Sequence, residues 1–220
     1  MSRASIHLVR HGEVFNPDGV LYGRLPEFHL SELGQQMARR VAGYFEAQKN
    51  DGAKLVHLVA SPLTRAQETA APIAASLGLD ITTDERILEA TNKFEGLSGV
   101  TSRLRNPKYW PLMYNPFKPS WGEPYAAQAE RVMAAVTDAR LRATELGGDR
   151  AEAVLVSHQL PIWVTRLSAE GRKLWHDPRN RQCTLTSVTS LDFDGDTLIG
   201  VRYAEPSADL LPGAASIPGA

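Results

Sequence analysis

Three short apolar runs in this chain each stop at a polar or charged turn, and each is followed by a stretch with helical spacing. The runs cover residues 6–9, 55–60 and 153–157. Runs this short and this continuously apolar read as strands buried on both faces. In residues 31–49, Leu33, Met37, Val41, Tyr44 and Phe45 fall on one helical face, with Ser31 as N-cap. Residues 63–77 follow Ser61-Pro62, a helix start with Pro at the first helical position, and Gly78 ends them. Residues 161–170 form a helix just past His158. Strands alternating with helices imply an α/β fold, a three-layer αβα sandwich with a mostly parallel sheet and helices on both faces.

The rest of the pattern completes that frame. Residues 124–146 read as a helix stopped by Gly147-Gly148, and residues 84–89 as a short strand or extended segment. Residues 184–193 and 197–203 flank Asp194-Gly195-Asp196, a hairpin turn that lacks the later Glu of a calcium loop. Between 91 and 123 the periodicity dissolves into Pro107, Trp110, Pro111, Pro116, Phe117, Pro119 and Trp121. Such a stretch is either a lid or substrate loop, or a packed surface excursion. Residues 1–204 are expected to form one catalytic domain. Residues 205–220, rich in Pro, Gly and Ala, are expected to be a flexible tail.

A domain of this size buries roughly 70–75% of its unfolded surface, so it needs neither disulfide nor metal as a staple. The net charge of −1 argues against a nucleic-acid partner. The single cysteine, Cys183, sits in Gln182-Cys183-Thr184-Leu185, which reads as a strand start and a structural thiol. One cysteine suits a reducing compartment. No apolar stretch resembles a signal peptide or a membrane span, so no membrane partner is expected and the reading is cytoplasmic. A homodimer is compatible with this composition.

In parallel sheets, sites form beyond the carboxyl ends of the strands. Four groups lie there: Arg10-His11-Gly12-Glu13, then Ser61-Pro62 with Arg65, then Ser157-His158, and Glu89 after the segment at Asp84. Taken singly, each has a bland explanation. A histidine after a strand is more often structural than catalytic, and Arg65 near a helix start is usually a solvated charge. Together they form a set suited to phosphoryl transfer. A neutral imidazole at His11 is a nucleophile near pH 7. Arg10 and Arg65 offset the phosphate charge and fix it for in-line attack. His158 adds a charge-assisted hydrogen bond to the transition state. Glu89 gives the leaving oxygen its proton and later takes one from water. No metal or cofactor is required, and no His-Glu-x-x-His or paired-Cys ligand spacing is present.

Leu8-Val9-Arg10-His11-Gly12-Glu13 resembles the signature of the histidine phosphatase superfamily, the phosphoglycerate mutase-like family. Leu30-Ser31-Glu32-Leu33-Gly34 resembles its next block, and Ser61-Pro62-Leu63-Thr64-Arg65-Ala66-Gln67-Glu68-Thr69-Ala70 its arginine-bearing motif. Leu88-Glu89 with Phe94-Glu95-Gly96, then Gly122-Glu123 with Arg131, then Val156-Ser157-His158, complete the order. The resemblance runs from about Ile6 to Val164. It implies a phosphohistidine on His11, phosphate contacts from Arg10, Arg65 and His158, and Glu89 as proton donor. The chain departs from the family pattern with Gln159 where Gly is frequent, Asn16 one residue earlier than the usual Asn, Glu27 for Asp, and a cation at Tyr22-Gly23-Arg24. Asn16, Gly23, Arg24 and Gln159 therefore join Arg10, Arg65 and His158 as expected substrate-binding residues.

Mutases of the family resemble longer chains between the acid and the second histidine. The short Glu89-to-His158 interval favours a phosphatase acting on a small phosphorylated metabolite. Mutase-type transfer and non-catalytic binding of a phospho-ligand or partner are the alternatives. Arg103, Arg105, Lys108 and Lys118 could read a second anionic group, and Trp110, Tyr114 and Trp121 could stack on a ring; either set could equally be surface charge and local core.

Overall fold

The structure, a computed structural model, describes residues 2–99, 107–112, 115 and 121–214. Of the residues just named, Arg103, Arg105, Tyr114, Pro116, Phe117, Lys118 and Pro119 lie outside the described ones. Six strands form one sheet: β1 (Arg3–Arg10), β2 (Lys54–Ala60), β3 (Ile81–Thr83), β4 (Ala151–Ser157), β5 (Val188–Asp194) and β6 (Thr197–Ala204). Their order is β3-β2-β4-β1-β5-β6, and the first four are mutually parallel. β5 runs antiparallel to both β1 and β6, which it meets through the hairpin at Asp194-Gly195-Asp196. The sheet is thus mixed and mostly parallel, as the alternation of strand and helix implies.

Side-chain alternation along the strands builds two cores. Ile6 and Leu8 of β1 and Leu155 of β4 pack with Val132, Val136 and Ile162, from α3 (Tyr125–Gly147) and α4 (Gln159–Ala169). Val9, Val154 and Val156 point the other way, onto Val41, Phe45 and Ile73 of α1 (Glu32–Asn50) and α2 (Thr64–Leu77). Helices therefore cover both faces. Strand register lines up the carboxyl ends: Arg10 pairs with Ser157, and Ala60 pairs with both Val156 and Thr83. Each residue that follows a strand emerges on the same edge of the sheet.

Several boundaries differ from the sequence reading. The segment at 84–89 is no strand: β3 ends at Thr83, and the Asp84 carboxylate accepts from the Arg86 N–H, capping a 3-10 turn at Glu85–Ile87. α4 starts at Gln159, two residues before Pro161, because a first-turn N–H has no helical partner to lose. β5 starts at Val188, so Cys183 belongs to the preceding loop and not to a strand. A turn closed by Ser187 N–H to Thr184 C=O, with Thr186 at φ 52°, interrupts the apolar run there. The stretch expected as a flexible tail begins as ordered chain. Ala208–Gly213 forms a 3-10 turn over α1, where Thr186 donates to Ser207 and Arg40 pairs with Asp209.

Two glycines make the join between β1 and α1. A Cβ on Gly12 would lie 2.6 Å from the Gly34 carbonyl oxygen, and one on Gly34 would lie 2.0 Å from that of Glu13. Only hydrogens fit between these backbones. Gly34→Ala should therefore lose about 1–3 kcal/mol of stability in urea unfolding. Gly43→Ala, in the same helix but with nothing within 4 Å of the new methyl, should gain about 1 kcal/mol. Equal effects at the two positions would contradict the close-contact account.

Candidate active site

His11 leaves the end of β1 with its backbone held by Ser157 C=O at 3.1 Å. Its Nδ1 lies 2.7 Å from the Gly12 carbonyl oxygen. A carbonyl only accepts, so Nδ1 carries a proton and Nε2 of the neutral ring bears the free lone pair. Burial, then the positive charges of Arg65 and Arg10, hold the His11 pKa well below 6.5. The ring is therefore neutral at pH 7. Gly12 N–H is anchored 3.1 Å from Thr69 Oγ1, and Thr69 in turn donates to Arg65 C=O at 2.7 Å.

His158 stands 5.2 Å from His11, ring centre to ring centre. It is fully buried, and its pKa is also held well below 6.5, chiefly by burial and then by Arg65. Ser61 Oγ, 2.8 Å from His158 Nε2, is the partner of this ring. Ser61-Pro62 is thus not the helix start that its composition suggests: α2 begins at Thr64, and Ser61 serves the neighbouring strand's histidine. With Ser61 as donor, the His158 proton sits on Nδ1. That Nδ1 and Arg65 Nε are both buried with no hydrogen-bond partner among the described residues. Buried polar groups left unmet in this way suit an anion, because an unmet buried donor costs about 1–3 kcal/mol.

Arg65 lies over the Tyr22 ring at 4.6 Å and donates to Gly23 C=O. Gly23 is at φ +40°, a backbone conformation that favours glycine, and a Cβ there would push aside the Glu95 carboxylate. Arg10 donates from Nη1 to Cys183 C=O at 2.8 Å. Glu89 is buried, with Oε1 accepting from its neighbour Ala90 N–H at 2.8 Å. His11, Arg10, Arg65, His158 and Glu89 are thus gathered at one edge of the sheet, each acting electrostatically on others of the set.

The remaining expected residues have other partners. Asn16 bonds both ways with Val20, at 2.8 and 3.0 Å, and closes its own loop. Arg24 is not a free cation: its Nε donates to Glu89 C=O at 2.6 Å and its Nη2 reaches Glu123. Arg131 grips Glu123 with two bonds of 2.8 Å and also reaches Glu89 C=O and Arg86 C=O. The Arg24–Glu123–Arg131 cluster therefore braces the backbone that carries Glu89. Gln159 donates to Cys183 C=O at 3.3 Å, sharing that carbonyl with Arg10. Arg181, which no motif marks, lies beside Gln159 at 3.3 Å. Among the described residues, no group of three or more His, Cys, Asp or Glu side chains could hold a metal, and no helix is long and apolar enough to cross a membrane.

Residues 6–206 match the sequence profile of the histidine phosphatase superfamily, branch 1. An uncharacterized protein of Mycobacterium tuberculosis is 50% identical over 205 residues, covering 92% of this chain and 96% of that protein. Solved structures with the same fold include a mycobacterial glucosyl-3-phosphoglycerate phosphatase, with TM-score 0.71 and 23% identity over 91% of this chain and 97% of that one. A phosphoserine phosphatase from Entamoeba histolytica, solved in complex with phosphoserine, gives TM-score 0.72 and 19% identity over 93% and 98%.

The two buried histidines make stability depend on pH. Their folded pKa values lie below the ordinary 6.5, so the unfolded chain binds more protons as pH falls through that value. Stability is fully present above about pH 6.5 and falls below it, by up to about 1.4 kcal/mol per pH unit for each ring. Urea titrations between pH 7 and 5 should show a shallower decline for His11→Gln/His158→Gln than for the wild type. Parallel curves would contradict the assignment of neutral buried rings.

Proposed function

Because the chain belongs to the histidine phosphatase superfamily, branch 1, we propose that it hydrolyses a small phosphate monoester by way of a phosphohistidine on His11. The observation that carries this reading is the His11 ring itself, neutral, tied at Nδ1 and flanked by two arginines. In the first step the lone pair of Nε2 attacks phosphorus in line, the N–P bond forms and the ester P–O bond breaks. Glu89, protonated, gives its proton to the departing oxygen. In the second step water attacks the phosphoryl group, Glu89 takes the proton, and the P–N bond breaks to return neutral His11. Arg10, Arg65 and the Nδ1–H of His158 hold the equatorial oxygens as charge moves. The two arginines supply the charge that Mg²⁺ supplies in other phosphoryl-transfer enzymes.

The test is a panel of phosphorylated metabolites given to purified protein in excess chelator. Hydrolysis without added metal is expected, and none by His11→Ala. Hydrolysis should outpace 2,3-bisphosphoglycerate-dependent isomerisation of 3-phosphoglycerate. Efficient isomerisation would make the protein a mutase, and turnover by His11→Ala would remove the mechanism. On the same enzyme, Glu89→Gln keeps shape but has no carboxylic-acid proton to give. In single-turnover kinetics it should slow phosphoryl transfer from alkyl phosphates by roughly 10²–10⁴-fold, and from an aryl phosphate with an acidic phenol far less. Equal losses would assign the acid elsewhere.

A further inference from the structure

Thr186 is a β-branched residue in the left-handed region, at φ 52°. Branched side chains adopt that backbone only where the surroundings impose it. The other non-glycine residues with positive φ among the described ones, Glu27 and Arg150, are exposed, whereas Thr186 is fully buried. The turn it belongs to backs the proposed phosphate site. Thr186 N–H donates to His11 C=O at 3.4 Å, and Ser187 C=O accepts from Arg10 N–H at 3.2 Å. Cys183 C=O accepts from Arg10 Nη1 at 2.8 Å. The backbone at Arg10 and His11, and the aim of the Arg10 guanidinium, therefore depend on residues 183–187.

What holds Thr186 in that conformation comes from the end of the chain. Its Oγ1 donates to Ser207 Oγ at 2.8 Å. Ser207 is buried, and its Oγ lies 3.5 Å from Met37 C=O of α1. The chain is fixed on both sides of Ser207. Before it, Thr184 N–H donates to the Tyr203 hydroxyl at 3.1 Å, and Thr184 Oγ1 to Glu205 at 3.0 Å. After it, the 3-10 turn Ala208–Gly213 lies on α1, with Asp209 against Arg40. Ser207 lies just past residues 6–206, the stretch that matches the superfamily profile, so this tie falls outside the matched pattern.

We propose that Ser207 is a positioning residue for phosphate binding: it holds Thr186 left-handed, and through that turn it fixes the His11 carbonyl and the carbonyls that anchor Arg10. It rests on the phosphate site of the proposed function and touches no substrate itself. Without the Ser207 hydroxyl, Thr186 Oγ1 keeps only Leu185 C=O at 2.8 Å, a neighbour in the chain that moves with it. The free protein then relaxes at Thr186, and an arriving phosphate has to restore the turn. A binding-competent state that is only partly populated lowers the apparent affinity by its fraction.

Titration calorimetry with inorganic phosphate reads this without turnover. The wild type, Ser207→Ala, Thr186→Gly and the double variant form a cycle, and thermal melts check that each one folds. Glycine is left-handed at no steric cost, so at position 186 it needs no holder. Ser207→Ala should weaken phosphate binding by about 3- to 10-fold, the worth of one hydrogen bond. In the Thr186→Gly background the same change should cost less than about 2-fold. Ile73→Val, a change of similar cost in the core beneath α2, should bind phosphate as the wild type does. Wild-type affinity in Ser207→Ala, or equal losses in the two backgrounds, would make Ser207 a structural contact only and overturn the inference, with the phosphatase reading left standing. A matching loss in Ile73→Val would overturn it too, as a general effect of stability. A wild type that binds no phosphate would overturn the phosphate site and the inference together.

Discussion

The hydrogen bond from His11 Nδ1 to the Gly12 carbonyl decides which nitrogen of the ring is free, and the loop that makes it is built from every nearby element. Gly12 lies so close to Gly34 that neither position admits a side chain. Glu13 accepts from Ser31 N–H through its backbone and from the Ser31 hydroxyl through its carboxylate, while Ser31 caps α1 at Gly34 N–H. Thr69 of α2 holds Gly12 from the other side and reaches back to the backbone of Arg65. One short loop thereby joins β1, α1 and α2. The distance between the ring and the Arg65 guanidinium follows from helix packing and not from side-chain freedom, which is the preorganisation that phosphoryl transfer needs.

Placing cations in that frame costs stability. A buried guanidinium loses hydration worth several kcal/mol, and Arg65 recovers part of it from the Tyr22 face and the Gly23 carbonyl. The two histidines respond by staying neutral, which leaves the Nε2 lone pair of His11 unprotonated, as the proposed attack requires. The buried Nε of Arg65 and Nδ1 of His158, without partners among the described residues, suit the anion that the proposed reaction brings. Function and local stability oppose each other here, as they do at preorganised sites generally. The Arg24–Glu123–Arg131 brace has a different task. It carries opposite charges in contact and holds the Glu89 backbone.

Much of the fold was legible because a buried parallel strand is a continuous apolar run and the helices between runs carry their own period. The residues that follow the runs, His11, Ser61 and His158, fall at one edge because parallel strands share their carboxyl ends. Side-chain commitments were not legible. Arg24 and Asn16 sit near the motifs in sequence, yet hydrogen bonds to Glu89, Glu123 and Val20 take them up. Ser61 looks like a helix cap because Ser-Pro is a cap signature, and only the neighbouring strand shows that it serves His158. Arg181 carries no local signal at all. It follows the 3-10 turn Pro178–Asn180 in the loop before β5, and its partners Gln159 and His176 come from the start of α4 and the loop after that helix, a tertiary arrangement that local propensity does not report.

The central claim is that Nε2 of His11 accepts the phosphoryl group. Wild-type protein mixed with a rapidly turned-over ester, quenched in base within one turnover and examined by phosphorus-31 NMR and peptide mass spectrometry tests it directly. The account predicts an acid-labile phosphoryl group on the His11 peptide, with the resonance of an Nε2-substituted imidazole. A phosphoryl group on Nδ1 or on another residue, or turnover with no covalent species on His11, would contradict it.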